Sequence, residues 1–138
     1  MEALKRKILD CLVKKLHCYE QLITELDSPV KEIFQGIFEK EQIQYNSVQQ
    51  IFETSQCTVS DEAISGIEHL SDVLLAYGMN DTKASDYVKC ATQAEKIHYR
   101  LFSLIAQHNK NQLTAEIFKN FAQELASHTL ILDQISEE

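Results

Sequence analysis

The sequence is poor in the residues that interrupt helices, since its 138 residues include only three glycines and one proline. Strands prefer β-branched and aromatic residues, whereas the Gln, Glu, Lys, Leu, Ile and Ala content of this chain favours helix. A chain of this length can bury roughly two thirds of its unfolded surface without disulfides or metals to hold it together. We therefore expect an all-α fold with a single domain over residues 1–138.

Several kinds of functional site have no counterpart in the sequence. No C-x-x-C pair occurs, which excludes a zinc ribbon, a rubredoxin-type iron site and a thioredoxin-like redox motif; the four cysteines are Cys11, Cys18, Cys57 and Cys90. A Gly-rich phosphate loop, a serine nucleophile motif and H-E-x-x-H are also missing, so nucleotide-dependent enzymes and hydrolases find no support.

The distribution of charge excludes further classes of partner. No apolar run approaches 18 residues, so no membrane span is expected. A formal net charge of -8 argues against a nucleic-acid surface, which needs clustered Lys and Arg. The basic residues of the first helix are expected to be solvated. This set consists of Lys5, Arg6, Lys7, Lys14 and Lys15. The cysteine usage and the lack of a leader-like apolar stretch favour a cytoplasmic, reducing setting.

Apolar periodicity predicts four long helices and one shorter helix. The long helices are expected at about residues 2–26, 29–54, 82–107 and 113–136, and the shorter one at about residues 61–77. Ser28-Pro29 is a start signal for the second helix, Ser60 for the short helix, and Asp81 or Thr82 for the third long helix, while Gly78 ends the short helix. Two antiparallel helix hairpins joined by a long crossover that contains the short helix would form one four-helix core.

Polar residues of metal-ligand type interrupt the apolar stripes of three long helices. Glu41 and Gln44 lie three residues apart in the second, as do Glu95 and His98 in the third, and His128 lies between Leu125 and Leu132 in the fourth. Residues three apart project from the same side of a helix. A buried carboxylate is costly unless it is paired or bound to a cation. The pattern therefore predicts one shared polar site.

These motifs resemble the ferritin-like superfamily, and its rubrerythrin branch in particular. The resemblance extends over almost the whole chain and includes Tyr19 with Leu22 and Ile23, Phe38-Glu39-Lys40-Glu41-x-x-Gln44-Tyr45, Ala94-Glu95-x-x-His98, and Ala122 to His128. The family pattern implies a di-iron site in a four-helix bundle, with a Glu on helix one, E-x-x-H on helices two and four, and a Glu or E-x-x-E on helix three. Carried over by position, Glu41, Glu95 and His128 are retained.

The sequence departs from that pattern at four positions. Leu12 and Leu125 stand where helices one and four should each supply a Glu, Gln44 replaces a His, and His98 replaces a Glu. Glu124 lies about 100° around its helix from Leu125, so it substitutes only if the helix rotates or shifts. A complete di-iron centre is therefore not expected, because two cations need about four carboxylates.

Two functional hypotheses remain open. In the first, Glu41, Glu95, His98 and His128, with Gln44 nearby, hold one Fe, Zn, Mn or Ni ion. If redox-active, such a protein would resemble peroxidases or ferroxidases of the family, with an unknown electron donor. In the second, the same residues form a metal-free hydrogen-bonded network in a non-catalytic interaction protein. A homodimer is expected, and its face was assigned to Leu9, Val13, Leu16, Phe38 and Phe118.

Overall fold

The computed structural model describes residues 1–54, 56–77 and 87–136, and this part of the chain is almost entirely helical. Its only extended pairing is an isolated antiparallel bridge between Val59 and Asn109, which joins the two loops at one end of the molecule. The all-α prediction is confirmed. The five helices are α1 (Glu2–Glu25), α2 (Val30–Glu53), α3 (Asp61–Ala76), α4 (Tyr87–Gln107) and α5 (Gln112–Ser136).

The predicted helix boundaries agree with the structure to within one residue wherever both can be compared. One start signal was wrong in detail. Pro29, and not Ser28, is the cap residue of α2, and the Ser28 hydroxyl donates a hydrogen bond to the Glu32 carboxylate at 2.6 Å instead of capping a backbone N–H. The predicted signals at Gly78, Asp81 and Thr82 lie outside the described residues.

The short helix α3 is a full member of the bundle. Lys7 of α1 pairs with Asp72 at 3.0 Å, and Lys14, two helical turns further along α1, donates to the backbone carbonyl of Leu75. These contacts show that α1 and α3 run parallel. α3 also packs against α4, so the circuit of neighbours runs α1, α2, α5, α4, α3 and back to α1. The described residues therefore form five packed helices, and the short crossover helix that the sequence predicts is a fifth member beside the four long ones.

The buried apolar side chains form two clusters, one at each end of the long helices. The larger includes Leu12, Val48, Leu101 and Leu125, together with Phe102, whose ring packs edge-on against that of Phe118. The smaller consists of Tyr19, Phe34, Ile37, Val88, Ala91 and Leu132. Each of the four long helices passes from one cluster to the other, and polar residues occupy the level between them. The core is thus divided by a polar layer.

The residues expected at a dimer face differ in their exposure. Phe118 is fully buried, and Leu9 and Phe38 pack against the two apolar clusters. Val13 is 45% exposed and Leu16 is half-buried. The burial of Phe118 removes it from a dimer face, and the homodimer stays a prediction. No described helix is both long enough and apolar enough to cross a membrane.

The two described helical glycines provide a test of this packing. A Cβ added to Gly36 would meet no heavy atom within 4 Å, whereas one added to Gly66 would lie 3.0 Å from Cδ2 of Leu104. Gly36→Ala is expected to raise the free energy of unfolding by about 0.5–1 kcal/mol, because alanine loses less backbone entropy in a helix. Gly66→Ala should gain less, since Leu104 must move. Urea unfolding measures both, and an equal gain would contradict the close approach of α3 to α4.

Candidate functional site

All five residues predicted for the polar site are buried at the level between the two apolar clusters. Glu41 and Gln44 project from α2, Glu95 and His98 from α4, and His128 from α5. Their positions follow from the i, i+3 spacing on α2 and α4, which keeps each pair on one side of its helix. Four of them meet in one network with Lys15 and Tyr19 of α1. We call this network the ionic layer, and its members are Lys15, Tyr19, Glu41, Glu95, His98 and His128.

Lys15 is the centre of the ionic layer. Its ammonium nitrogen lies 2.6 Å from Oε1 of Glu41 and 2.7 Å from Nδ1 of His98, and it also pairs with Oε2 of Glu95. An ammonium group has three N–H donors and no acceptor. Each of the three donors of Lys15 therefore has one acceptor, supplied by three different side chains.

His128 and Tyr19 satisfy the outer faces of the two carboxylates. Nδ1 of His128 lies 3.0 Å from Oε2 of Glu41 and 3.1 Å from Oε1 of Glu95, so its N–H is shared between them. The Tyr19 hydroxyl donates to Oε2 of Glu95 at 2.7 Å. All four carboxylate oxygens consequently have donors, and α1, α2, α4 and α5 are joined through one set of hydrogen bonds.

The charges of the ionic layer balance internally. Burial alone would lower the pKa of Lys15, but Glu41 and Glu95 outweigh it and raise that pKa. Burial also opposes ionisation of Glu95, yet the Lys15 ammonium and the hydrogen bond from His128 hold its pKa low. The hydrogen bonds from His128 to both carboxylates raise the pKa of this histidine to about 9 against the effect of burial. When Glu41 is ionised, two cations therefore face two carboxylates.

Three other members of the layer respond to the same charges. Burial and the neighbouring Glu95 raise the pKa of Glu41 to about 7. Burial and the nearby Lys15 ammonium lower the pKa of His98 well below its usual value, which keeps this ring neutral and its Nδ1 free to accept from Lys15. Burial, with the two carboxylates, raises the pKa of Tyr19 well above 10, so its hydroxyl stays protonated.

Gln44 does not join the hydrogen bonds of the ionic layer, whereas the metal-free hypothesis expected it to do so. Its side-chain oxygen and nitrogen are both buried without a hydrogen-bond partner in the described structure, although only 2% of the residue is exposed. Nε2 of His98 and Nε2 of His128 are also buried and unpartnered. Buried polar groups without partners are uncommon in folded proteins and call for a physical explanation.

The retained ligand-type residues lie close enough to hold one cation. One ligand atom each from Glu41, Glu95 and His98 lies within 4.8 Å of the others. Leu12 and Leu125, at two positions where the sequence resemblance implies carboxylates, are both buried in the larger apolar cluster, and Glu124 is half-buried outside the network. The three grouped ligands are the same three side chains that accept the N–H donors of Lys15.

The burial of Lys15 is the feature that the sequence analysis missed. It was assigned to a solvated basic face, but only 5% of it is exposed, and Lys5 is similarly buried near Phe52. The signal was present in the spacing, because Leu12, Lys15 and Tyr19 follow one another at intervals of three and four on the inner side of α1. A buried lysine in that stripe needed acidic partners, and Glu41 and Glu95 supply them.

Comparisons of the chain with protein-family models, with curated proteins and with solved structures find no match. The assignment of the site consequently depends on its own geometry.

Removal of the Lys15 charge tests whether the layer is held by this ammonium. Lys15→Met retains much of the apolar stem but leaves Glu41 and Glu95 buried without their shared cation. We expect a loss of about 3–5 kcal/mol in the free energy of unfolding, measured by urea denaturation, as is usual when one partner of a buried ion pair is removed. Lys40→Met, on the exposed side of α2 next to Glu41, is the matched control and should change stability by less than about 0.5 kcal/mol. Equal effects of the two variants would contradict the central role of Lys15.

The raised pKa of His128 predicts a pH dependence of stability. An unfolded histidine loses its proton near pH 6.5, whereas His128 in the folded chain retains it up to about pH 9. The stabilisation is fully present below the unfolded value and is lost as the pH rises through the folded value. Between about pH 7 and 8.5, stability should fall by at most roughly 1.4 kcal/mol per pH unit from this proton.

His128→Gln should remove most of that slope in urea denaturation series measured across the same pH range. His17→Gln, at an exposed position of α1, serves as the control and should leave the slope of the parent protein intact. A parent protein whose stability is flat from pH 7 to 8.5 would rule out the protonated state of His128.

Proposed function

We propose that this chain is a ferritin-like helical protein that has lost the metal chemistry and works as a non-catalytic interaction protein, with Lys15 as the cation of its interior. The observation that carries the proposal is the pairing of the Lys15 ammonium with Glu41, Glu95 and His98. Those three side chains also form the group whose ligand atoms lie close enough together to hold a metal ion. The Lys15 ammonium, which is covalently attached to the chain, occupies the oxygen and nitrogen lone pairs that a metal ion would need.

The electrostatics of the layer support the same proposal. With both carboxylates ionised, the charges of Lys15 and His128 already neutralise Glu41 and Glu95. A divalent ion added to this arrangement would have to displace Lys15 or remain beside two cations in a buried site, where charges interact more strongly than in water. Leu12 and Leu125 act in the same direction, because they replace two further carboxylates by apolar groups.

A second candidate function is the binding of one divalent ion, Fe, Zn, Mn or Ni, by Glu41, Glu95, His98 and His128. Mixed carboxylate and imidazole ligands suit such ions, and the proximity of three ligand atoms favours it. In this case Lys15 would have to leave the layer whenever the metal enters. A peroxidase- or ferroxidase-type activity would further require an electron donor.

Metal titrations distinguish the two candidates. Isothermal titration calorimetry with Zn²⁺, Mn²⁺ and Ni²⁺, and with Fe²⁺ under anaerobic conditions, should give no stoichiometric binding to the parent protein. Lys15→Met should bind at least one of these ions at least about tenfold more tightly, which corresponds to roughly 1.4 kcal/mol, because the carboxylates then lack a cation. Adding His98→Ala to Lys15→Met should abolish the gain.

Lys40→Met is the matched control and should bind no more metal than the parent. Stoichiometric binding to the parent that is lost in Glu41→Ala and His128→Ala would instead establish the second candidate. Self-association is measured on the same samples by sedimentation equilibrium, where a strict monomer without partners would count against the interaction role.

A further inference from the structure

A small cavity adjoins the ionic layer on the side of α1 and α2. It has a volume of about 10 Å³, and the residues around it are Leu12, Leu16, Glu41, Gln44, Tyr45, His98 and Phe102. A space of this size is about what one water molecule needs, and larger molecules do not fit. The cavity is therefore suited to a single ligand of the size of water.

The polar atoms around the cavity indicate what kind of molecule it holds. Gln44 and His98 are 2% and 3% exposed, and the Gln44 amide oxygen, the Gln44 amide nitrogen and the His98 Nε2 have no partner. Three of the four unpartnered buried side-chain atoms in the described structure thus belong to two residues that line one cavity. Apolar cavities remain dry, but a polar cavity with two to four available partners holds an ordered water.

The protonation state of His98 gives the ligand an orientation. Because Nδ1 of this neutral ring accepts from Lys15, the single ring proton must lie on Nε2, which makes Nε2 a donor. The ligand must therefore offer an acceptor to His98, and it can donate to Oε1 of Gln44. An anion is disfavoured, because Glu41 also lines the cavity. A neutral molecule that both accepts and donates satisfies these requirements.

We propose that the cavity binds one structural water, which accepts a hydrogen bond from Nε2 of His98 and donates one to Gln44. This inference rests on the proposed function, since it takes Lys15 as the partner of Nδ1. Gln44, expected from the sequence to be a metal ligand, is then a positioning residue. Through the water it holds the His98 ring in the tautomer that accepts from Lys15, and so extends the ionic layer to α2 by a second path.

A crystal structure of the parent protein at a resolution that shows ordered waters is the direct test. We expect electron density for one water within hydrogen-bond distance of His98 Nε2 and of the Gln44 amide. A cavity without density would overturn the inference. Lys15 contacts that persist beside an empty cavity would leave the proposed function intact, whereas a metal with anomalous scattering among Glu41, Glu95 and His98 would overturn the proposed function instead.

Thermal unfolding of Gln44→Met tests the positioning role independently. Methionine fills the cavity and expels the water, so the N–H of His98 is left without an acceptor, and Tm should fall by about 3–8 °C. Gln42→Met, at an exposed position of the same helix, is the matched control and should change Tm little. A rise in Tm for Gln44→Met would overturn the role, because removing an amide from a dry site is favourable.

Discussion

The structure depends on the three-way pairing of the buried Lys15 ammonium. Lys15 comes from α1, and its acceptors Glu41, Glu95 and His98 come from α2 and α4. A buried carboxylate or ammonium without a counter-ion is too costly to persist as a charge, so none of these side chains can occupy the core without the others. This mutual requirement sets the register of the helices at the level of the layer, because a shift of one helix by a turn would leave charges unpaired.

The remainder of the core is organised around that level. The apolar residues above and below it form two separate clusters, and Leu12, Val48, Leu101 and Leu125 follow the layer in the larger one. On the other side, Tyr19 joins the two kinds of environment, since its ring packs edge-on against Phe34 while its hydroxyl donates to Glu95. Apolar burial provides most of the driving force for folding, and the ionic layer adds specificity of alignment. A buried ion pair often stabilises a fold no more than apolar residues of similar volume would, and such pairs are often retained for specificity.

The arrangement gives a physical account of how two carboxylates can be buried within an apolar core. Leu12 and Leu125 add no charge to the interior, and Lys15 on the next turn of α1, together with His128 of α5, neutralises Glu41 and Glu95 when both are ionised. Glu41 and Glu95 then keep a cation that is covalently attached to the chain and does not depend on metal supply. Glu41 on α2, and Glu95 with His98 on α4, place the partners of Lys15 on the inner sides of those helices.

Helix content, the helix boundaries and the residues of the polar layer were accessible from the sequence, because the apolar repeat of a helix and the i, i+3 spacing are local properties. The role of Lys15 was not accessible from the sequence. Its position in the inner stripe of α1 was visible, but a lysine is ordinarily exposed, and only its partners on other helices reverse that expectation. The same holds for the packing of α3 between α1 and α4, and for the cavity at Gln44 and His98. By itself the sequence determined the helices and the five polar residues that interrupt their inner apolar stripes. The tertiary structure alone decided which charges meet, because the energy of a buried charge depends on neighbours that are distant along the chain.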